Sequence, residues 1–310
     1  MDEELMRNMT MERTRKKFGS HEVLNGKYSP RIPASAEREY VRICNAYMRI
    51  LKEELEKQLP AIKTVYQKEL ESDLAEKRRN DSVTGLLLSI IAVFNSIKNS
   101  LVIRLGSFGL EKKLKNVSTL TRKQTTKEWE RMIRKTLGID IREDYYLGSF
   151  YQDQLQKWVS DNVDLIKTIP EDTLDKMRQI IYDGYVNGTP TTKLVKEIQQ
   201  SYQVGKRHAG LIARDQIAKL NGQIQQAQQQ DAGITSYRWS TSGDQRVRKS
   251  HRDLDGKIFH WDDPPENSDG RKCHPGQDYN CRCVAIPVFD RNRLNLPLAD
   301  DKEKTGGMKN

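Results

Sequence analysis

The residues with the most distinctive chemistry are crowded into one stretch. Between Tyr237 and Phe289 lie three of the four cysteines (Cys273, Cys281, Cys283), three of the five histidines (His251, His260, His274) and two of the four tryptophans (Trp239, Trp261). Its local patterns alternate in kind. Tyr237-Arg-Trp-Ser-Thr alternates as a strand, Gln245 to Leu254 fits a helix closed by Asp255-Gly256, and Lys257-Ile-Phe-His-Trp261 fits a second strand. Asp262 to Tyr279 is too polar for core and reads as loop, while Cys281-Arg-Cys-Val-Ala-Ile-Pro-Val288 reads as a third strand. The stretch is therefore expected to be a small α+β domain, a short three-stranded sheet plus a helix.

The preceding chain carries a helical period. Tyr40, Cys44, Tyr47, Leu51, Leu55 and Leu59 recur at spacings of three and four, which makes Cys44 a core residue. Pro60 is a candidate kink, and Lys77-Arg-Arg-Asn-Asp81 is the expected break before a second helix. That second helix contains Leu86-Leu-Leu-Ser-Ile-Ile-Ala-Val-Phe94 and is apolar from Val83 to Ile97, short of the roughly 20 residues a membrane span needs. It is expected to be buried against the first, with no membrane partner. Thr168-Ile-Pro-Glu171 has the form of a capping box opening a helix that Asn187-Gly188 closes. Thr191 to Tyr202 and a longer helix after Gly205 follow, the latter aligning Ala213, Ile217, Leu220, Ile224 and Ala227 and placing Gln223 to Gln230 on its exposed face. The predicted architecture is a mostly α-helical body with a small C-terminal α+β domain. Its parts are a flexible basic arm (1–33), a helical domain (34–234), the α+β domain (235–289) and a disordered tail (290–310).

Composition agrees with long exposed helices, since 36% of residues are hydrophobic and 31% charged. The net charge of +10 points to DNA, an anionic surface or acidic proteins as partners. Glu111 to Lys135 holds nine Lys or Arg against three Glu, more than half of that excess. Within it Lys112, Lys113, Lys115, Arg122 and Lys123 are candidate contacts to double-stranded DNA without sequence preference, against the plainer reading of a solvated face. Met1-Asp-Glu-Glu begins no secretory signal, and four cysteines in this distribution suit a reduced compartment better than a disulfide framework.

Several segments go beyond generic pattern. The string W-S-T-S-G-D-Q-R-V-R-K-S-H-R-D-L-D-G-K-I-F-H-W-D-D-P-P, followed by H-P-G-Q-D-Y-N-C-R-C, resembles the signature of the Mu F-like minor head proteins, the phage head morphogenesis family of tailed bacteriophages. Trp239, Asp244, Arg246, Arg248, Asp255 and Gly256 carry the match, with weaker likeness in D-N-V-D-L-I-K-T-I-P, Asp183-Gly-Tyr-Val-Asn-Gly188 and I-A-R-D-Q. The resemblance implies a structural virion protein and no enzyme. It would be incorporated in few copies beside the portal during prohead assembly in the host cytoplasm, with portal, capsid or scaffolding proteins as partners and packaged DNA within reach.

Two chemistries compete with pure packing in the Cys/His stretch. A zinc site can be drawn from His251, Cys281 and Cys283 with Cys273 or His274 as fourth ligand, because zinc takes four nitrogen or sulfur ligands. Against it, a Cys-x-Cys pair on a strand has side chains that share a face but diverge; the alternative is buried small thiols, with His251 held by a carboxylate such as Asp255. The pair could also oxidise in a mature virion. The alternating charges Asp244, Arg246, Arg248, Arg252, Asp253 and Asp255 read as a salt-bridge lattice, with Arg248 and Asp255 on one helix side. The rival function is an enzyme using His251 and these acidic residues, a metal-dependent nuclease or an ADP-ribosyltransferase, for which Glu54-Leu-Glu56 is a superficial motif inside a helix.

Overall fold

A computed structural model of the chain describes residues 3–76 and 79–299, leaving aside the side chains of residues 3, 69 and 72–87. Its long helices are α1 (Glu3–Phe18), α2 (Ala34–Glu76), α3 (Arg79–Gly106), α4 (Leu110–Leu137), α5 (Ser149–Val186) and α6 (Thr191–Asp231). The chain divides into two compact units, and α2, α4, α5 and α6 each contribute residues to both.

One unit, residues 38–116 and 159–213, is wholly helical among the described elements. The stripe read from the sequence is buried through Leu55, with Tyr40, Cys44, Tyr47, Leu51 and Leu55 each at most 4% exposed, while Leu59 is half-buried. Polar pins fix the helices it packs. Tyr40 donates to Asn162 Oδ1 on α5 at 2.7 Å, and Tyr66 donates to the Thr189 carbonyl at 2.7 Å. Glu54 on α2 accepts from Ser100 Oγ on α3 at 2.6 Å and is ion-paired with Arg104 and Lys57. Gly205 sits where a Cβ would come within 2.5 Å of Thr173 Oγ1, so its missing side chain lets α6 approach α5 closely.

The other unit holds residues 3–37, 117–158 and 214–299. It contains a four-stranded antiparallel sheet in the order β1-β4-β2-β3, formed by β1 (Val23–Asn25), β2 (Ser236–Ser240), β3 (Ile258–His260) and β4 (Val284–Asp290). Strand β2 shows the period of two expected of a half-buried strand, with Tyr237 and Trp239 fully buried between partly exposed Ser236, Arg238 and Ser240. A one-turn helix, α7 (Lys249–Arg252), lies between β2 and β3. Two apolar clusters serve this unit. One gathers Phe18, Trp129, Ile133, Phe289, Leu294, Leu296 and Leu298; the other gathers Tyr237, Trp239, Leu254, Trp261, Cys273, Cys281, Cys283 and Ala285.

Several expectations need correction. Residues 1–33, expected as a flexible arm, include a helix and a strand: Phe18 is 1% exposed, Thr10 Oγ1 accepts from Leu296 N at 3.2 Å, and β1 adds a fourth strand beside β4. The expected tail is ordered as far as 299, with Leu294, Leu296 and Leu298 in the core; residues 300–310 lie outside the described residues. Both segments fold by pairing with each other and with α4, which no local pattern announces. The expected helix over Gln245 to Leu254 contracts to α7, so Arg248 and Asp255 share no helix face. The Thr168 capping box is not a helix start, because α5 runs through it with Pro170 inside and Thr168 Oγ1 donates back to the Leu165 carbonyl at 2.9 Å. Gly205 likewise does not break α6. Pro60 lies inside α2, and the break expected at Lys77–Asp81 includes residues 77 and 78, outside the described residues.

Two burial readings also change. Of the glutamine run, Gln225, Gln228 and Gln229 are buried, because Gln229 Nε2 donates to the Ala285 carbonyl at 3.0 Å and Gln228 Nε2 to Thr126 Oγ1 at 2.9 Å. Helix α3 is only half covered. Ile90, Phe94, Ile97 and Leu101 are buried, whereas Leu88, Val102 and Ile103 are more than 60% exposed. Leu88–Gly106 is long and apolar enough to cross a membrane by length and composition, with 22% of that window buried.

Candidate functional site

The Cys/His stretch converges on His251. Helix α7 delivers the imidazole, and the turn leading into β4 delivers both sulfurs: Cys281 Sγ lies 3.6 Å and Cys283 Sγ 3.5 Å from His251 Nδ1. All three side chains are buried, and their ligand atoms lie within 4.8 Å of one another. The cysteines precede β4, which begins at Val284, so the strand geometry that would make them diverge does not apply. Gly276 N and Cys283 N each donate to Cys281 Sγ at 3.4 Å. These contacts require a tight loop. Asn280 and Gly276 adopt φ of 49° and 85°, and Gly276 packs on Gly222 of α6, where a Cβ would meet the Pro275 carbonyl at 2.9 Å.

The other face of the imidazole is held by a residue that sequence reasoning missed. His251 Nε2 lies 3.0 Å from Asp278 Oδ2, and the same oxygen accepts from Arg248 Nη1 at 3.1 Å and Arg271 Nη2 at 3.3 Å. Asp278 is the carboxylate expected of Asp255, which instead accepts from Thr241 N at 2.8 Å. The available signal was its place in the H-P-G-Q-D-Y-N-C loop, but no spacing rule connects it to His251 twenty-seven residues earlier. Asn280 N is fixed in turn by Asp215 of α6 at 2.7 Å.

Electrostatics follow from this packing. The Cys281 thiol is pulled down to about 5 by its hydrogen bond with Cys283, with His251 and the two backbone amides adding to it against the opposing effect of burial. Cys283 is pushed up by the same hydrogen bond and by burial. His251 is raised, first by its contact with Cys281 and then by Asp278, against burial. Burial would raise Asp278, yet the Tyr279 amide, His251 and the two arginines outweigh it and hold it below the usual carboxylate range. Cys273 is pushed up to about 11 by burial.

The remaining candidates disperse. Cys273 shares the apolar cluster but stands outside the three-residue group, and His274 Nδ1 is taken by the Tyr237 hydroxyl at 2.8 Å. Trp239 packs edge-on against His251 with ring centres 5.6 Å apart, and Gly256 N donates to its carbonyl at 2.9 Å. Asp244 and Arg246 pair with each other on the surface at 2.8 Å. His260 lies exposed on the edge strand β3, bonded to Ser236 Oγ at 3.1 Å, so it forms no pair with His251. Glu54 of the E-x-E motif is 4% exposed and consumed by its ion pairs. In the basic run, Lys112, Lys113, Lys115 and Lys123 are exposed, but Arg122 is buried, 7% exposed.

Comparison with known proteins falls on the same part of the chain. The family described as Phage Mu protein F like protein matches residues 175–286. An uncharacterized protein of Haemophilus influenzae is 36% identical over 175 residues, covering 56% of this chain and 38% of the other. The Minor head protein GP7 of Bacillus phage SPP1 is 25% identical over 155 residues, covering 44% of this chain and 50% of the other. The chain thus spans at most half the length of these relatives, and no solved structure matches it. Residues 175–286, which hold the His251, Asp278, Cys281 and Cys283 cluster, are thus the part of this chain that is similar to the Phage Mu protein F like family.

Proposed function

We propose that the chain is a minor head protein of a tailed phage or prophage, a virion component built in during head morphogenesis rather than an enzyme. The observation that carries this reading is the state of the family's signature residues. Within the matching strings, Trp239, His251, Asp278 and Cys281 are each at most 5% exposed; Asp278 and Cys281 contact the two His251 ring nitrogens and Trp239 packs edge-on against that ring, an arrangement that maintains a folded module. The kinship with a protein named for its place in a phage head supports the same assignment. In this reading the chain enters the prohead in few copies beside the portal, and the uncovered apolar residues of α3 meet a neighbouring head protein. Lys112, Lys113 and Lys123 face packaged DNA.

Heads purified from cells producing the particle should contain the chain, and heads made without its gene should be defective; heads that lack the chain yet package DNA normally would overturn the proposal. His251→Ala separates this reading from the enzymatic one: destabilised or unincorporated protein is expected, whereas a stable, incorporated protein that has lost nuclease or transferase activity would favour the enzyme. Replacing Lys112, Lys113 and Lys123 by Gln should weaken salt-dependent retention of double-stranded DNA, and retention indifferent to salt would remove DNA from the proposal.

A further inference from the structure

We propose that His251, Cys281 and Cys283 bind one zinc ion. The inference rests on geometry and stands apart from the head-protein reading. In a tetrahedral centre with Zn–S near 2.3 Å and Zn–N near 2.0–2.1 Å, a sulfur and a nitrogen on the same ion are separated by about 3.5–3.6 Å. Cys281 Sγ and Cys283 Sγ lie 3.6 and 3.5 Å from His251 Nδ1. One ring nitrogen carries either one proton or one lone pair, so it can hydrogen-bond well to one sulfur only. A cation between the three atoms satisfies all of them.

The surroundings are those of a metal-bound imidazole and thiolates. Asp278 Oδ2, 3.0 Å from His251 Nε2, fixes the proton on that nitrogen and leaves the Nδ1 lone pair facing the sulfurs, the outer-shell carboxylate that orients metal-ligating histidines. Gly276 N and Cys283 N point at Cys281 Sγ, as amides do toward an anionic sulfur. Trp239 Nε1 is buried without a hydrogen-bond partner. Two sulfurs and an imidazole select zinc over calcium or magnesium, which take oxygen ligands. The set supplies three protein ligands. The ion would tie α7 to the turn before β4, joining two segments that have little regular structure of their own.

The test uses the full chain. Protein purified from zinc-supplemented medium should carry about one equivalent of zinc, and cobalt-exchanged protein should show a thiolate-to-cobalt charge-transfer band with tetrahedral visible bands. Cys281→Ser and Cys283→Ser should each abolish that band, and Cys273→Ser should retain it. Loss of the metal in Cys273→Ser would overturn the three-ligand set. Because the zinc content and the cobalt spectrum are read on the wild-type chain, a variant that fails to fold does not blunt the test. Wild-type protein with no stoichiometric zinc and no cobalt–thiolate band would overturn the proposal, as would a Cys281–Cys283 disulfide in protein purified without air.

Discussion

Both units of the molecule bury carboxylates among cations, and Glu54 and Asp278 are held in different ways. Glu54, with its side chain 5% exposed, sits on α2 and meets Lys57 from its own helix and Arg104 from α3, both on regular elements whose packing is fixed by apolar stripes. Asp278, 2% exposed, collects Arg248, His251 and Arg271 from loops and a single helical turn. In the first case the helices would hold their places without the ion pairs. In the second the ion pairs hold the backbone, because little else is regular there.

The comparison makes its strongest demand on Asp278→Ala. Removing it leaves an imidazole and two guanidinium groups without their shared acceptor, and breaking such a buried pair costs about 3–5 kcal/mol. Urea unfolding together with limited proteolysis should show the loss, with early cleavage between residues 262 and 283. Glu54→Gln should cost less, about 1–2 kcal/mol, because its charged partners Arg104 and Lys57 are 34% and 64% exposed and can turn to water, whereas His251 beside Asp278 is 3% exposed and cannot. Equal costs for the two substitutions would erase the distinction.

Glu54 also carries a pH signature. Its carboxyl is held down to about 2, first by the Lys57 hydrogen bond and then by Ser100 and Arg104 against burial. A depressed folded value means that the stabilisation is complete above the unfolded value, about 4.3, and is lost as pH falls toward 2. Glu54→Gln should flatten the stability profile between those limits; an unchanged acid slope would show that the ion pairs contribute nothing there. The smallest effect belongs to Arg246→Ala. Its pair with Asp244 is exposed, 73% and 36% on the two sides, and a change within about 0.5 kcal/mol is expected in the same urea titration.

The same contrast explains what could be read from sequence. Tyr40, Cys44, Tyr47, Leu51 and Leu55 declared α2 and its buried face because a helix repeats its environment every three to four residues. His251, Cys281 and Cys283 could be nominated together by residue type alone. Asp278 could not be paired with His251, since their contact depends on the positive φ of Gly276 and Asn280 and on Asp215 of α6 holding the Asn280 amide. The buried glutamines escaped for a related reason: polarity suggests exposure, and only the structure shows that Thr126 and the Ala285 carbonyl receive their amide protons.

Strand β1 pairs through Val23, Leu24 and Asn25 with Asp290, Phe289 and Val288 of β4. During synthesis the first of these segments leaves the ribosome long before the second exists. At about 5–20 residues per second the wait is on the order of tens of seconds. Until then α1 lacks Leu296, and Phe18 lacks the leucines that cover it. Residues 38–116 and 159–213, which cluster as their own compact unit, are all synthesised before residues 284–299. The sheet is then the last part to close, and its arrival marks a chain whose Cys/His module has already been made.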